Sequence, residues 1–135
     1  MIVSTRGRYA VRALLEIAKT KPGHINTMGK VAKAQQISVK YLLAIVQRLK
    51  KHKLIITTKG KGGGIKLARP ASQITLYDIL KATEVSISPV YCLDTPEKCS
   101  RVKTCETINM WKAFDTYTKK YLKAMTLDKI GKKKH

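Results

Sequence analysis

The apolar positions of this chain change period as it runs. Spacing is helical up to residue 51, alternates to residue 68, turns helical again from residue 76 and ends in a wide aromatic stripe. The sharpest stripe is Leu42, Ile45, Val46 and Leu49. Their three- and four-residue spacing puts them on one buried face of a helix over residues 39–51, with Lys40, Leu43, Ala44 and Gln47 on the other. Ser38 stands where an N-cap belongs, its hydroxyl able to accept an orphan N–H of the first turn. Before it, Tyr9, Ala13, Leu14, Ile17 and Ala18 predict a first helix over residues 5–20 capped by Thr5, ended by Lys21-Pro22-Gly23. Asn26 or Thr27 caps a short second helix to residue 34, with Met28, Val31 and Ala32 inward. A tight join at Gln35-Gln36 leads into the third.

Two helices joined by a tight turn, the second with a basic outer face, have the form of a helix-turn-helix, although an ordinary helical hairpin with a solvated basic face shows the same pattern. The segment that follows sharpens the picture. Residues 54–58 are β-branched and strand-like, residues 59–64 form a glycine-rich turn, and residues 65–68 alternate as a returning strand. A hairpin directly after the third helix makes a winged helix. Its glycine-rich tip is not a nucleotide cradle, because no Gly-Lys-Ser/Thr follows and no strand-to-helix context surrounds it.

Beyond the wing, Thr75 caps a helix over residues 76–83, and residues 84–105 read as irregular. A long final helix over residues 106–125 carries Ile108, Trp111, Phe114, Tyr117, Tyr121, Leu122 and Met125. That stripe is wide enough to serve both its own domain and a second subunit. Residues 127–130 add a last turn, and the Gly-Lys-Lys-Lys-His end is expected to be disordered. The chain therefore divides into a winged helix-turn-helix (1–70), a connecting helix with a cysteine loop (71–105), a dimerisation helix (106–130) and a basic tail (131–135). The fold class is mainly α with a small β-hairpin wing.

Charge then separates the two halves. The 135 residues carry a formal charge of +20. Residues 1–75 hold 16 Lys/Arg and one acid, Glu16, for +15; residues 76–135 hold 12 Lys/Arg and seven acids, for +5. Such a concentration on the helix-turn-helix half is the footprint of a polyanion binder. Within it, Ser38, Val39, Lys40, Tyr41, Leu43 and Ala44 are the candidates to face a major groove. Arg6, Arg8, Arg48, Lys59 and Lys61, with Gly60 at the wing tip, are the candidates to hold the backbone of double-stranded DNA. A non-specific nucleic-acid-binding protein would use the same charge without reading sequence. No targeting or membrane-spanning segment is visible, so a cytoplasmic location is expected. An enzyme is not: His24, His52 and His135 lie near no nucleophile or paired carboxylate in sequence, and no small-molecule substrate is implied.

The three cysteines, Cys92, Cys99 and Cys105, all fall within one 14-residue stretch. Inert core thiols would scatter among helices. In a reducing compartment grouped thiolates suit iron–sulfur clusters, zinc or a thiol redox switch. Zinc sites usually show closer Cys pairs, which are absent here.

Several motifs together carry a family resemblance. Gly7-Arg8-Tyr9-Ala10, Ile37-Ser38-x-x-Tyr41-Leu42, Leu54-Ile55, Gly60-x-Gly62-Gly63-Gly64 and Leu67-Ala68-Arg69 resemble the winged helix-turn-helix transcriptional regulators typified by IscR, with NsrR, RirA and CymR. The resemblance spans residues 2–130. It implies a homodimer with crossing C-terminal helices that reads a pseudo-palindrome, and points to a regulator, taken as a repressor. In the cluster-binding branch three cysteines of this loop hold a [2Fe–2S] or [4Fe–4S] centre, and Cys92, Cys99 and Cys105 match them. The chain departs from the pattern at two ligand positions: Ile108 replaces a histidine and Arg8 an aspartate. Asp94, Glu97, Glu106 and Asn109 are the neighbouring oxygen or amide donors. Sensing through thiol oxidation or zinc is the alternative.

Overall fold

A computed structural model describes residues 3–131. Three helices, a two-stranded hairpin and four further helices follow one another around one main core. Helix α1 (Thr5–Ala18) is capped by Ser4, whose side chain accepts the Gly7 N–H, so the cap lies one residue before the expected Thr5. Adjacent hydroxyls make either residue a candidate by composition; the extended backbone at Ser4 decides it. The helix stops at Ala18, two residues short of expectation, because Lys19 and Thr20 already bond in the tighter pattern of a closing turn.

Helix α2 (Met28–Gln35) is capped by Thr27, and α3 (Val39–Lys51) by Ser38, whose Oγ accepts the Tyr41 N–H at 3.1 Å. Between them Gln36 takes a left-handed conformation, φ 55°, which turns the chain within a few residues. Strands β1 (Ile55–Thr57) and β2 (Ile65–Leu67) pair antiparallel, with Ile56 opposite Lys66. Asn26 adds a bridge to Ile65 and so ties the wing to the loop before α2. At the tip Gly60 and Gly62 have φ of 87° and 80°, a region open to glycine at little cost.

The main core is built from Ala10, Ala13, Leu14 and Ile17 of α1, Val31 and Ala32 of α2, Ile37, and Leu42, Ile45, Val46 and Leu49 of α3. Leu54, Ile55 and Ile65 close it from the wing. Each of the Val, Leu and Ile side chains contributes about 1.5–3 kcal/mol by leaving water. Helix α4 (Leu76–Thr83) begins with a Thr75/Asp78 capping box and faces two ways. Its Ile79 and Ala82 enter the main core, while Leu80 joins Ile87 and Leu122 in a satellite cluster.

Residues 84–105 are less irregular than expected: α5 (Tyr91–Asp94) is one helical turn and Pro96–Lys98 a 3-10 turn. Helix α6 (Ile108–Ala124) starts two residues later than predicted. The chain then breaks at Met125 and forms α7 (Leu127–Gly131), whose Leu127 returns to the main core. The Thr75–Thr126 bridge and the bonds Leu76 N–H to Met125 O and Leu127 N–H to Ile74 O fasten that return. Gly131 therefore ends a helix instead of opening a tail; residues 132–135 lie outside the described residues. Among the described residues no helix is long and apolar enough to cross a membrane.

Candidate DNA-reading face and cysteine loop

The core presents α3 with its outer face bare. Because Leu42, Ile45, Val46 and Leu49 are buried, Val39, Lys40, Leu43, Ala44, Gln47 and Arg48 must point away, and all six are exposed. Tyr41 stands at the flank, its ring edge-on to Tyr9 with centroids 5.7 Å apart. The wing brings Lys59, Gly60 and Lys61 to an exposed tip. From residue 17 to residue 77 the chain holds 13 Lys/Arg and no acid, so α2, α3 and the wing contribute only positive charge. Among the described residues no ion pair involves α2, α3 or the wing.

The two arginines expected to hold phosphate behave differently. Arg8 is exposed and donates to Thr5 Oγ1 at 2.9 Å. Arg6 is half-buried and spends its Nε–H on Thr83 O at 2.7 Å, in the seam between α1 and α4. The structure thus leaves the α3 and wing-tip residues exposed and places the Arg6 side chain in a joint.

Two networks escaped the sequence reading. Arg12 donates its Nε–H to Gln35 Oε1 at 3.1 Å and a second N–H to Gln35 O, while its guanidinium lies 4.8 Å from the Tyr9 ring centroid. Gln35 in turn donates to Glu16 Oε2 at 2.9 Å, so α1 clamps the turn before α3. The other network joins Glu84, the first residue of the cysteine-bearing segment, to the start of α1. Ser4 donates to Glu84 Oε1 from its N–H at 3.2 Å and from its hydroxyl at 2.6 Å. A carboxylate at a helix N-terminus also meets the positive end of the helix dipole. Gly7 lets it approach: a Cβ there would collide with Glu84 Oε1 and stand 3.2 Å from Leu80 and 3.3 Å from Thr83. A glycine inside a helical pattern was the one signal of this joint in the sequence.

In the loop, Cys92 sits in α5, Cys99 follows the 3-10 turn and Cys105 precedes α6; all three are free thiols and half-exposed. Several hydrogen bonds within residues 86–107 are local, as where Ser86 and Ser88 both donate to Asp94. Those two bonds hold the Asp94 carboxyl below its ordinary range. The Thr107 hydroxyl, 3.2 Å from Cys105 Sγ, and the Thr107 backbone do the same for the Cys105 thiol, against a small opposing effect of burial. As soft donors the thiols suit an iron–sulfur centre. Among the described residues, no three His, Cys, Asp or Glu groups are gathered as metal ligands, so this loop would have to close around one. Ile108 offers no donor atom, and Asp94 already serves its two serines.

Helix α6 keeps only Leu122 buried. Met110, Phe114, Tyr117 and Tyr121, spaced along one face, remain exposed, Tyr117 to 73%. The expected packing against its own domain is thus confined to the α4 side, where Leu122 meets Leu80 and the Lys123 ammonium lies 4.6 Å from the Tyr77 ring.

This arrangement of helices and wing is shared with proteins already known. The chain is 29% identical over 130 residues to HTH-type transcriptional regulator IscR of Sodalis glossinidius, covering 96% of this chain and 78% of that protein. It is 36% identical over 111 residues to protein rrf2 of Nitratidesulfovibrio vulgaris, covering 82% and 74%. Among solved structures, CymR, the global cysteine regulator of B. subtilis, superposes with a TM-score of 0.78 at 27% identity, covering 97% of this chain and 96% of that one. The family model of the Rrf2 iron-dependent transcriptional regulators matches residues 3–133, and with the winged helix in place that match makes the chain a member of the Rrf2 family.

Proposed function

We propose that this regulator reads a pseudo-palindromic DNA site as a homodimer and represses transcription in the cytoplasm, its affinity set by an iron–sulfur cluster on Cys92, Cys99 and Cys105. The carrying observation is the bare outer face of α3 beside the wing, inside a stretch of 61 residues that contains no acid. The N-terminal half of α3 enters the major groove, and Arg8, Arg48, Lys59 and Lys61 set register on phosphates. The aromatic face of α6 supports dimerisation, since a contiguous apolar patch of this kind is rarely left to water. In this reading residues 1–70 form the reading unit, 71–105 the sensing segment and 106–130 the dimer contact.

A bound cluster would supply iron chemistry sensitive to oxidants. The chain's own part is to hold it with three thiolates, which requires the locally bonded loop to draw together. Because that loop starts at Glu84, its state reaches α1 through the Ser4 bonds, and Arg6 fastens the same seam to Thr83.

A second reading, sensing through the thiols alone, is favoured by the Thr107 bonds that hold the Cys105 thiol below its usual range. An anaerobic preparation decides between them. Visible absorption with iron and sulfide in the protein, lost in Cys92→Ala together with a change in DNA affinity, supports the cluster. A colourless protein whose DNA affinity still follows thiol oxidation, or which carries zinc, overturns it in favour of the second reading. Retention of a specific site against excess random DNA at moderate salt separates both from non-specific binding.

A further inference from the structure

The N-terminal half of α3 contains almost nothing that can accept a hydrogen bond. Four of its outward residues are Val39, Lys40, Leu43 and Ala44, with Val39 54% and Leu43 46% exposed. They cannot turn inward, because the opposite face is filled by Leu42, Ile45 and Val46. Lys40 only donates. At the margin of this face, the Ser38 hydroxyl accepts the Tyr41 N–H at 3.1 Å, which uses one of its two lone pairs, and the Tyr41 ring lies edge-on to Tyr9. The first free amide along the face is Gln47, about 6 Å further along the axis than Leu43. Cytosine and adenine present amino donors in the major groove and need acceptors; thymine presents a C5-methyl group.

On the reading proposed above, we infer that α3 recognises thymine methyl groups through Val39, Leu43 and Ala44, with Lys40 donating to thymine O4 or guanine O6 and N7. Specificity then comes from burying methyls against aliphatic side chains, and the half-site is thymine-rich where the N-terminus of α3 lies. Leu43 is the largest of the three aliphatic side chains and is 46% exposed, so it is the one to test.

The experiment uses the full chain. Binding sites are selected from a random duplex library, and each thymine of the enriched site is replaced by deoxyuridine, which removes one methyl and leaves base pairing intact. Wild-type affinity should fall about fourfold at the thymines facing α3, the cost of exposing one methyl-sized surface. Leu43→Ala should bind the thymine and uracil forms equally at the position that Leu43 covers. Leu43→Gln, which adds an acceptor and a donor, should enrich adenine there. Equal wild-type affinity for every uracil-substituted site, or an undiminished thymine preference in Leu43→Ala, overturns the inference and leaves DNA reading intact. A library from which no sequence is enriched overturns sequence reading itself, and this inference with it.

Discussion

Two regions of this molecule are finished to different degrees. From α1 to the wing, every helix buries a full stripe, the caps are made and the turn before α3 is clamped by Arg12 and Glu16 through Gln35. Beyond the Glu84 anchor to Ser4, residues 85–107 carry mainly local bonds, three thiols stay half-exposed, and among the described residues the aromatic face of α6 remains exposed. The first region can present α3 within a single chain. The second carries the surfaces through which a cluster or a second subunit would act. If the second region senses as proposed, a signal acts there by shifting its population between two arrangements, and a segment with few long-range contacts leaves those arrangements close in free energy.

The contrast can be broken most forcefully in the core. Leu49→Ala should cost about 2–5 kcal/mol in urea unfolding, whereas Tyr91→Ala in the loop should stay within about 0.5 kcal/mol. Comparable losses at both positions would mean the loop is as firmly built as the core. Next in size is the α6 face. Phe114→Glu buries a charge at the proposed contact and should weaken the dimer by roughly thirtyfold or more, seen by sedimentation, if Phe114 is a central anchor. Unchanged mass would move the interface elsewhere.

Gly7→Ala tests the joint between the two regions. The new Cβ forces Glu84 away from Ser4, at a cost of about 1–3 kcal/mol in stability. It should also narrow the difference in DNA affinity between the reduced and oxidised protein. A variant that loses stability but keeps that difference would show that the signal travels another way. At the wing, Lys59→Ala should reduce the slope of log affinity against log salt by about 0.9 if it holds one phosphate. The smallest effect is chemical. Bonds from Thr107 favour the charged Cys105 thiolate, so its proton leaves at lower pH than that of an ordinary thiol. Alkylation of the apo protein, which needs the thiolate, should therefore begin at lower pH at Cys105. Thr107→Val should move that profile upward.

The winged helix was legible because its evidence is local. Ser38 precedes its stripe at the right distance, the stripe repeats at 3.6 residues, and the strands alternate between glycine-rich breaks. The choice between Ser4 and Thr5 was not legible, since neighbouring hydroxyls differ only in the backbone conformation that the tertiary structure imposes. Arg6 looked like one more phosphate arginine, and its bond to Thr83 lies 77 residues away in sequence. No periodicity announces a contact of that span.

The sequence by itself determined the reading helix, its wing, the charge around them and the confinement of every thiol to one loop, because spacing and composition act within a turn or two of chain. Only the tertiary structure decided that Glu84 holds the N-cap residue Ser4 at the start of α1, that α7 returns to the core and that the aromatic face of α6 stays exposed. Those outcomes depend on which long-range surfaces bury together, and apolar burial is set by shape and neighbours, not by order along the chain.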